Sequence, residues 1–439
     1  MVDFEAARRV REAREYIQSL ITTRGYFKSA CPGAEKLNPL PSEAERVPHA
    51  AVDGGSQIID FTDISFYYVK AWAHLYEAGI SEGDAWLGLI VPPHHPDYRV
   101  SIYREILEAS VIAGIHRPGA RSIASEAGLV LFDGSLRNAI RWWSPGAMSY
   151  GSEELARMDR DLPGAEKVLW ELYNSGVGLD TISFLTCSSM QECAEELVAK
   201  APARPITARL ILEMGAKGVL EGHLKDGGKW ITALEVLEKL YAYKKALEEA
   251  WRNDGIALFL SKHSVSTALC RGKHSDIYYI KRIHPLEPGY IVWDGSQGRG
   301  EGESRTTSSL LIGAYAITRL RPKGKRGGLV FYPRRLGLYD FYTKRLASIE
   351  FYVRLSRGGP FMLANIAFDS SKITATWDNA LALLEKALRR LVGVPLAQGY
   401  PLALTIAHYH ARILPDDALA LARGVGLEVE VPAREMLRR

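Results

Sequence analysis

Twice in this chain an apolar run ends in Asp-Gly. The first instance is Ala51-Val52-Asp53-Gly54-Gly55-Ser56, reached through an uncharged approach from Val47; the second is Leu131-Phe132-Asp133-Gly134-Ser135-Leu136. Glycine after an acid leaves space beside the carboxylate for an ion or a phosphate. One Asp-Gly at a strand end reads as a turn. Two of them on buried-type strands also read as paired oxygen donors, which is what a hard divalent cation takes from neighbouring strand ends. Between the two, residues 100–113 place Ile102, Ile106, Ala109 and Ala113 on one helical stripe. Glu105 and Glu108 lie three apart on that helix and share a face, so either can meet the aspartates; an exposed pair is the competing reading. Lys262 follows another apolar run, Gly255–Ser261, where a strand-end lysine would meet a phosphate or simply face solvent. Near the end, Gly399-Tyr400-Pro401 opens a helix with His408 about two turns in, as a ligand or as a core histidine.

The elements that must position these groups follow from periodicity. Residues 3–22 carry an amphipathic helix, and the prolines and glycines of 23–45 mark a loop. Gly54-Gly55 predicts a tight turn after the Asp53 strand, with an antiparallel return through Gln57–Phe61. A third strand is expected at 84–91, and residues 128–133 form an unbroken apolar run of the kind found in a strand covered on both faces. Short helical patterns recur from 138 to 230, followed by a long helix over 230–253. A hairpin is expected from 277–283 and 289–293 around Pro285–Pro288, then a strand at 361–368 and a helix at 376–392.

The totals exclude several classes. A chain of 439 residues, 47% hydrophobic and 24% charged, is ordinary for a soluble globular protein. It has no apolar window long enough for a membrane span and no secretory leader at Met1–Arg14. Cys31, Cys187, Cys193 and Cys270 fit neither a disulfide framework nor a paired zinc motif, so reduced thiols in a cytoplasmic protein are expected. A net charge of +4 does not itself imply nucleic acid, but its distribution does more. Residues 319–357 hold eleven Lys or Arg against Asp340 and Glu350, interleaved with Phe331, Tyr332, Tyr339, Phe341, Tyr342, Phe351 and Tyr352. Cations for phosphates with rings for stacking suit single-strand binding, through Arg334, Arg335, Tyr339, Lys344 and Arg345. Aromatics facing a core, with lysines solvated outside, are the alternative.

The order of parts is an acid on a first strand, an antiparallel return, a third strand, a glutamate-bearing helix, a second acid on a following strand, and a late polar ligand. That is the layout of an RNase H-like α/β fold, a mixed sheet flanked by helices. With those residues assembled the sequence resembles the NurA family of DNA-end-processing nucleases. The likeness rests on Ala51–Ser56, Leu131–Leu136 and Gly399-Tyr400-Pro401 through Ala407-His408, and more weakly on Arg104–Glu108. Ala403 stands where the family commonly has proline. The resemblance implies that Asp53, Asp133 and Glu108, with Glu105 as rival, hold manganese or magnesium, as two ions, and that Tyr400 and His408 complete the site. It also implies 5′-to-3′ exonuclease and single-strand endonuclease action on DNA, a homodimer, and partnership with a HerA-type hexameric ATPase in resecting double-strand breaks. The expected organisation is a helix and loop at 1–45, the RNase H-like nuclease unit at 46–137 and 255–439, and a mostly helical insertion at 138–254. Two other readings stand beside it: a phosphotransferase using Asp53 or Asp133 as nucleophile, and a nucleic-acid-binding adaptor with a degenerate site.

Overall fold

The computed structural model describes residue 12 and residues 31–61, 65–90, 96–117, 119–140, 228–267, 269–270, 274–292, 310–312, 338–373 and 377–424. The first strand, β1 (His49–Asp60), pairs antiparallel with β2 (Ser65–Leu75), which pairs antiparallel with β3 (Ile80–Ile90). Helix α1 (Pro96–Ala113) leads to β4 (Leu129–Asp133), parallel to β1 on its other side. After the long helix α2 (Gly228–Ala250), β5 (Ile256–Ser261) joins parallel to β4. Helix α3 (Asp276–Ile283), β6 (Gly289–Val292), β7 (Leu310–Ile312), β8 (Leu346–Arg354) and β9 (Met362–Asp369) follow. They complete one mixed sheet in the order β3-β2-β1-β4-β5-β9-β8-β6, with β7 pairing β8. Helix α4 (Trp377–Val392), the small ribbon β10 (Leu396–Ala397) and β11 (Tyr400–Pro401), and helices α5 (Leu402–Ala411) and α6 (Pro415–Gly424) close the described chain. The mixed α/β sheet flanked by helices expected from the sequence is present.

Alternation in the central strands sends side chains into two cores. Ala50, Val52, Val130, Phe132 and Phe259 meet Leu107, Val111, Leu240, Tyr243 and Leu247 of α1 and α2. Ala51, Leu129, Leu131, Leu258 and Leu260 meet Leu384, Leu388, Leu391, Leu404 and Ala407 of α4 and α5. Both faces being covered is why β4 reads as a continuous apolar run. Helix α4 buries Ala380, Leu384, Ala387, Leu388 and Leu391, a single stripe at helical spacing, with Asp378 in its first turn and Arg389 and Arg390 in its last.

Three expectations are corrected. Gly54 and Gly55 do not turn the chain: β1 continues to Asp60, and the antiparallel return is β2, beginning at Ser65. The glycines serve close approach, since a Cβ on Gly54 would lie 2.4 Å from Glu108 Oε1 and one on Gly55 would lie 2.2 Å from the Ala411 carbonyl oxygen. Residues 276–283 form a helix, not half of a hairpin; Ile277, Ile280 and Ile283 are buried at a helical interval, and β6 pairs with β8 instead. Cys31 and Cys270 are joined in a disulfide, contrary to the reduced thiols expected, because spacing in sequence says nothing of two residues 239 apart. The long helix α2, which the sequence reading places at the end of the insertion, packs on α1 in the main core. The rest of that insertion, the N-terminal helix, Cys187 and Cys193 lie outside the described residues.

Among the described residues no helix is long and apolar enough to cross a membrane.

Candidate active site

The parallel ladder between β1 and β4 ends at the pair Val52↔Phe132, so Asp53 and Asp133 are the next residues on adjacent strands. Neighbouring strands run about 4.8 Å apart. Both aspartates continue the face of Ala51 and Leu131, which is the α5 side of the sheet. Beyond Asp133 the chain leaves the sheet through Gly134 at φ 115°, whose N–H donates to the Leu260 carbonyl at 2.8 Å. Ser135 then accepts from the Asn138 N–H to cap the short turn Leu136–Ala139.

Glu108 arrives from the opposite side of the sheet. Helix α1 packs on the other face, and the missing side chain of Gly54 opens the gap through which its carboxylate reaches the strand ends. The three acids are buried enough to feel one another. Burial, and then the charge of Asp133, push the Asp53 carboxyl above the usual aspartate range, against hydrogen bonds from His408 and the Gly54 N–H. Burial drives Glu108 well above its ordinary value; Arg104 offsets this in part, while Asp53, Glu105 and Asp133 reinforce it.

Each acid is turned toward its own cation or imidazole. His408 Nδ1 lies 2.7 Å from Asp53 Oδ2, Arg104 Nε lies 3.3 Å from Glu108 Oε1, and Lys262 Nζ lies 3.8 Å from Asp133 Oδ2. Lys262 also sits 3.5 Å above the ring of Tyr400, a cation–π contact that ties the β5 end to β11. The turn before Tyr400 uses Gln398 at φ 53° and Gly399 at φ 80°, the left-handed pair of a tight hairpin. The Tyr400 hydroxyl is buried beside Asp133; burial first, and that carboxylate second, hold its phenol well above the usual range.

The structure therefore brings together Asp53, Glu108, Asp133, Lys262, Tyr400 and His408. Glu105 points elsewhere: its carboxylate pairs with the buried Lys239 of α2 at 3.0 Å. Arg345 is engaged by Glu248 at 2.9 Å and Asp369 at 2.7 Å, and Lys344 by Asp340 at 2.6 Å. Phe341, Tyr342, Phe351 and Tyr352 are core residues, as in the alternative reading of the basic stretch. Arg334, Arg335 and the side chain of Tyr339 lie outside the described residues. Sequence reasoning passed over Arg104 as a site group, although its i,i+4 spacing to Glu108 was readable. It also passed over Trp72 and His410, whose rings stack beside the aspartates with centroids 4.8 Å apart; nothing in the linear pattern joins them.

As the side chains stand, no three His, Cys, Asp or Glu groups among the described residues converge on one ion position. The donor set nonetheless fits a hard divalent ion, with three carboxylates and an imidazole as neighbours. Burial first, and the neighbouring carboxylates after it, make two of those carboxyls hold protons more tightly than free acids do, a penalty on their charge that a bound cation would offset. Asp53, Glu108 and Asp133, with His408, are the groups that would hold it.

Residues 48–413 match the sequence profile of the NurA domain. No curated protein is similar enough in sequence to match the chain. Among solved structures, the NurA nuclease from Sulfolobus solfataricus superposes with a TM-score of 0.52 at 16% identity, covering 97% of each chain. A NurA crystal structure with manganese gives 0.52 at 15% identity, covering 97% of this chain and 100% of that one. Another, bound to dAMP and manganese, gives 0.50 at 15% identity, covering 99% of both. At such identities the likeness is one of fold.

Proposed function

This chain belongs to the NurA family, and from that premise we propose that it is a metal-dependent nuclease hydrolysing phosphodiester bonds of DNA. The observation that carries the reading is that Asp53, Glu108 and Asp133, from two strands and a helix, lie near enough to act on one another's charge, beside Lys262, Tyr400 and His408. Solved structures of the same fold that hold manganese, and dAMP with manganese, support the choice of ion and substrate class. The strand order β3-β2-β1-β4-β5, in which β2 alone runs against the other four, supports the RNase H-like description. The finer activity is proposed as 5′-to-3′ exonuclease and single-strand endonuclease action in double-strand break resection. It would be carried out by a homodimer with two Mn²⁺ or Mg²⁺ ions and a HerA-type translocase as partner. A cytoplasmic location rests on the DNA substrate alone, because the Cys31–Cys270 disulfide removes the support that reduced thiols lent it.

Divalent ions, when bound, would acidify a water and neutralise charge on the departing 3′ oxygen. The protein's own groups do the rest. His408 is bonded to Asp53 through Nδ1 and its side chain is 62% exposed, so Nε2 faces outward to take or give a proton. Tyr400, its phenol held neutral by burial and by Asp133, keeps an O–H to donate to a phosphate oxygen. Lys262, 34% exposed and 3.8 Å from Asp133, would offer its ammonium to the same phosphate.

Labelled single-stranded DNA incubated with manganese, and then with chelator, tests the reading. Digestion that needs the ion and falls at least about a hundredfold in Asp53→Ala and Asp133→Ala, with DNA binding and thermal unfolding nearly unchanged, supports it. A trapped aspartyl-phosphate would point to a phosphotransferase, and binding without digestion to an adaptor.

A further inference from the structure

The end of α5 lays two histidines across one cross-strand pair. Asp53 of β1 and Trp72 of β2 are direct partners in the antiparallel ladder and so share a face of the sheet. His408 bonds the first; His410 stacks on the second, with ring planes 22° apart. Tyr409, between them in sequence, stands edge-on to His410 with ring centroids 5.6 Å apart, and it is 76% exposed. A large ring that open, on the helix turn that also carries His408 and His410, has no packing role to explain it. Positive charge flanks the rings: Lys70 is on the same face of β2, two residues from Trp72, and exposed Arg412 follows the helix.

We propose that Trp72, His410 and Tyr409 form a stacking pad for the unpaired base of the nucleotide next to the cleaved phosphate. Every base has an aromatic face, so such a pad holds a strand end without reading sequence, and the cations beside it take the backbone. Its position one residue pair from Asp53 sets the register: a base on the pad leaves its phosphate at the carboxylates. The proposal rests on the nuclease reading above and adds the group that aligns the substrate.

The test is binding by the full chain in chelator, where no strand is cut. Single-stranded oligonucleotides carrying either an ordinary terminal nucleotide or an abasic one, placed in turn at each end, are followed by fluorescence anisotropy. The wild-type protein is expected to prefer one base-bearing end by about tenfold, as a single stacked base gives. Tyr409→Ala and His410→Ala should each erase most of that preference and leave binding of the abasic strand unchanged, while Tyr409→Phe keeps it. Equal affinity of the wild-type protein for base-bearing and abasic ends overturns the pad but leaves the nuclease reading standing; no DNA binding at all overturns both. Retention of the full preference in both alanine variants also overturns the pad. So does a shift in sedimentation caused by Tyr409→Ala, which would make the open ring a contact between copies of the chain.

Discussion

At the scale of single residues the two glutamates of α1 are now distinct. Glu108 faces Asp53 and Asp133, whereas Glu105 is spent on Lys239, whose side chain is only 4% exposed. Glu108→Gln should abolish metal-dependent digestion. Glu105→Gln should spare most of it and cost stability, about 1–3 kcal/mol for weakening a buried charged contact; steady-state cleavage rates and denaturant melts on both variants separate the roles. Glu108 also carries a pH signature. Its folded-state proton affinity lies well above that of an exposed glutamate, near pKa 4.3 when unfolded. The native state therefore binds the proton more tightly than the unfolded chain, and stability is lost as pH rises from the unfolded value through the folded one. In chelator, Glu108→Gln should match the wild-type thermal midpoint near pH 4.5 and exceed it at pH 8, by about 2–4 °C per kcal/mol relieved. Adding manganese should close the gap by stabilising the wild type. The sequence showed both glutamates on one face and could go no further, because which of them is engaged depends on α2, more than a hundred residues away in the chain.

At the scale of elements, the glycines after Asp53 tell the most. Composition reads Gly-Gly as a turn, and the same two residues in the middle of a strand look like a defect in it. In the fold each admits a different neighbour, Gly54 the α1 side chains and Gly55 the end of α5. The two sites should fail differently. A methyl on Gly54 meets Glu108 Oε1 at 2.4 Å, Arg104 Cγ at 2.7 Å and Glu108 Cγ at 2.8 Å, all side-chain atoms. Gly54→Ala should thus displace Glu108 and lower cleavage by about a hundredfold or more, with a smaller loss of melting temperature than a clash with backbone gives. A methyl on Gly55 meets the backbone carbonyl of Ala411 at 2.2 Å, which cannot swing aside. Gly55→Ala should push α5 off the sheet and cost about 1–3 kcal/mol, as overpacking does. Melts and activity assays on the pair decide it; equal losses of both kinds from the two variants would contradict the division. Strand and helix identities were legible where one face or both faces are apolar, as in β4, β5, β9 and α4. They failed at 277–283, where β-branched and aromatic residues before Pro285 read as a short strand although isoleucines at a spacing of three fit a helix face.

At the scale of the whole molecule, the acidic cluster lies at the ends of β1 and β4, while the other end of the sheet is tied down by residues that precede β1. Asn38 and Tyr290 exchange two backbone hydrogen bonds of 2.9 Å, His284 Nε2 meets the Ala34 carbonyl oxygen at 2.8 Å, and Cys31 is bonded to Cys270. The disulfide and its neighbours Ile277, Ile280, Tyr352 and Phe361 make a small core of their own at the β6–β8 edge. No spacing rule could have paired those cysteines, since the contact exists only after the whole sheet has formed. A link across 239 residues restricts the unfolded chain severely, by about 5 kcal/mol in the chain-entropy account. Its removal should therefore act on stability and leave the chemistry alone. Asp276 keeps the β6 edge in shape without it: the carboxylate accepts from the Leu269 and Cys270 N–H groups at 3.0 and 2.8 Å and from the Tyr352 hydroxyl at 2.7 Å. Cys31→Ser, or the wild-type protein in reductant, should melt several degrees lower yet cleave DNA at an unchanged rate well below the melting temperature. A matching loss of cleavage at moderate temperature would mean that the strap reaches the pocket, through the chain that runs from Lys262 to Cys270.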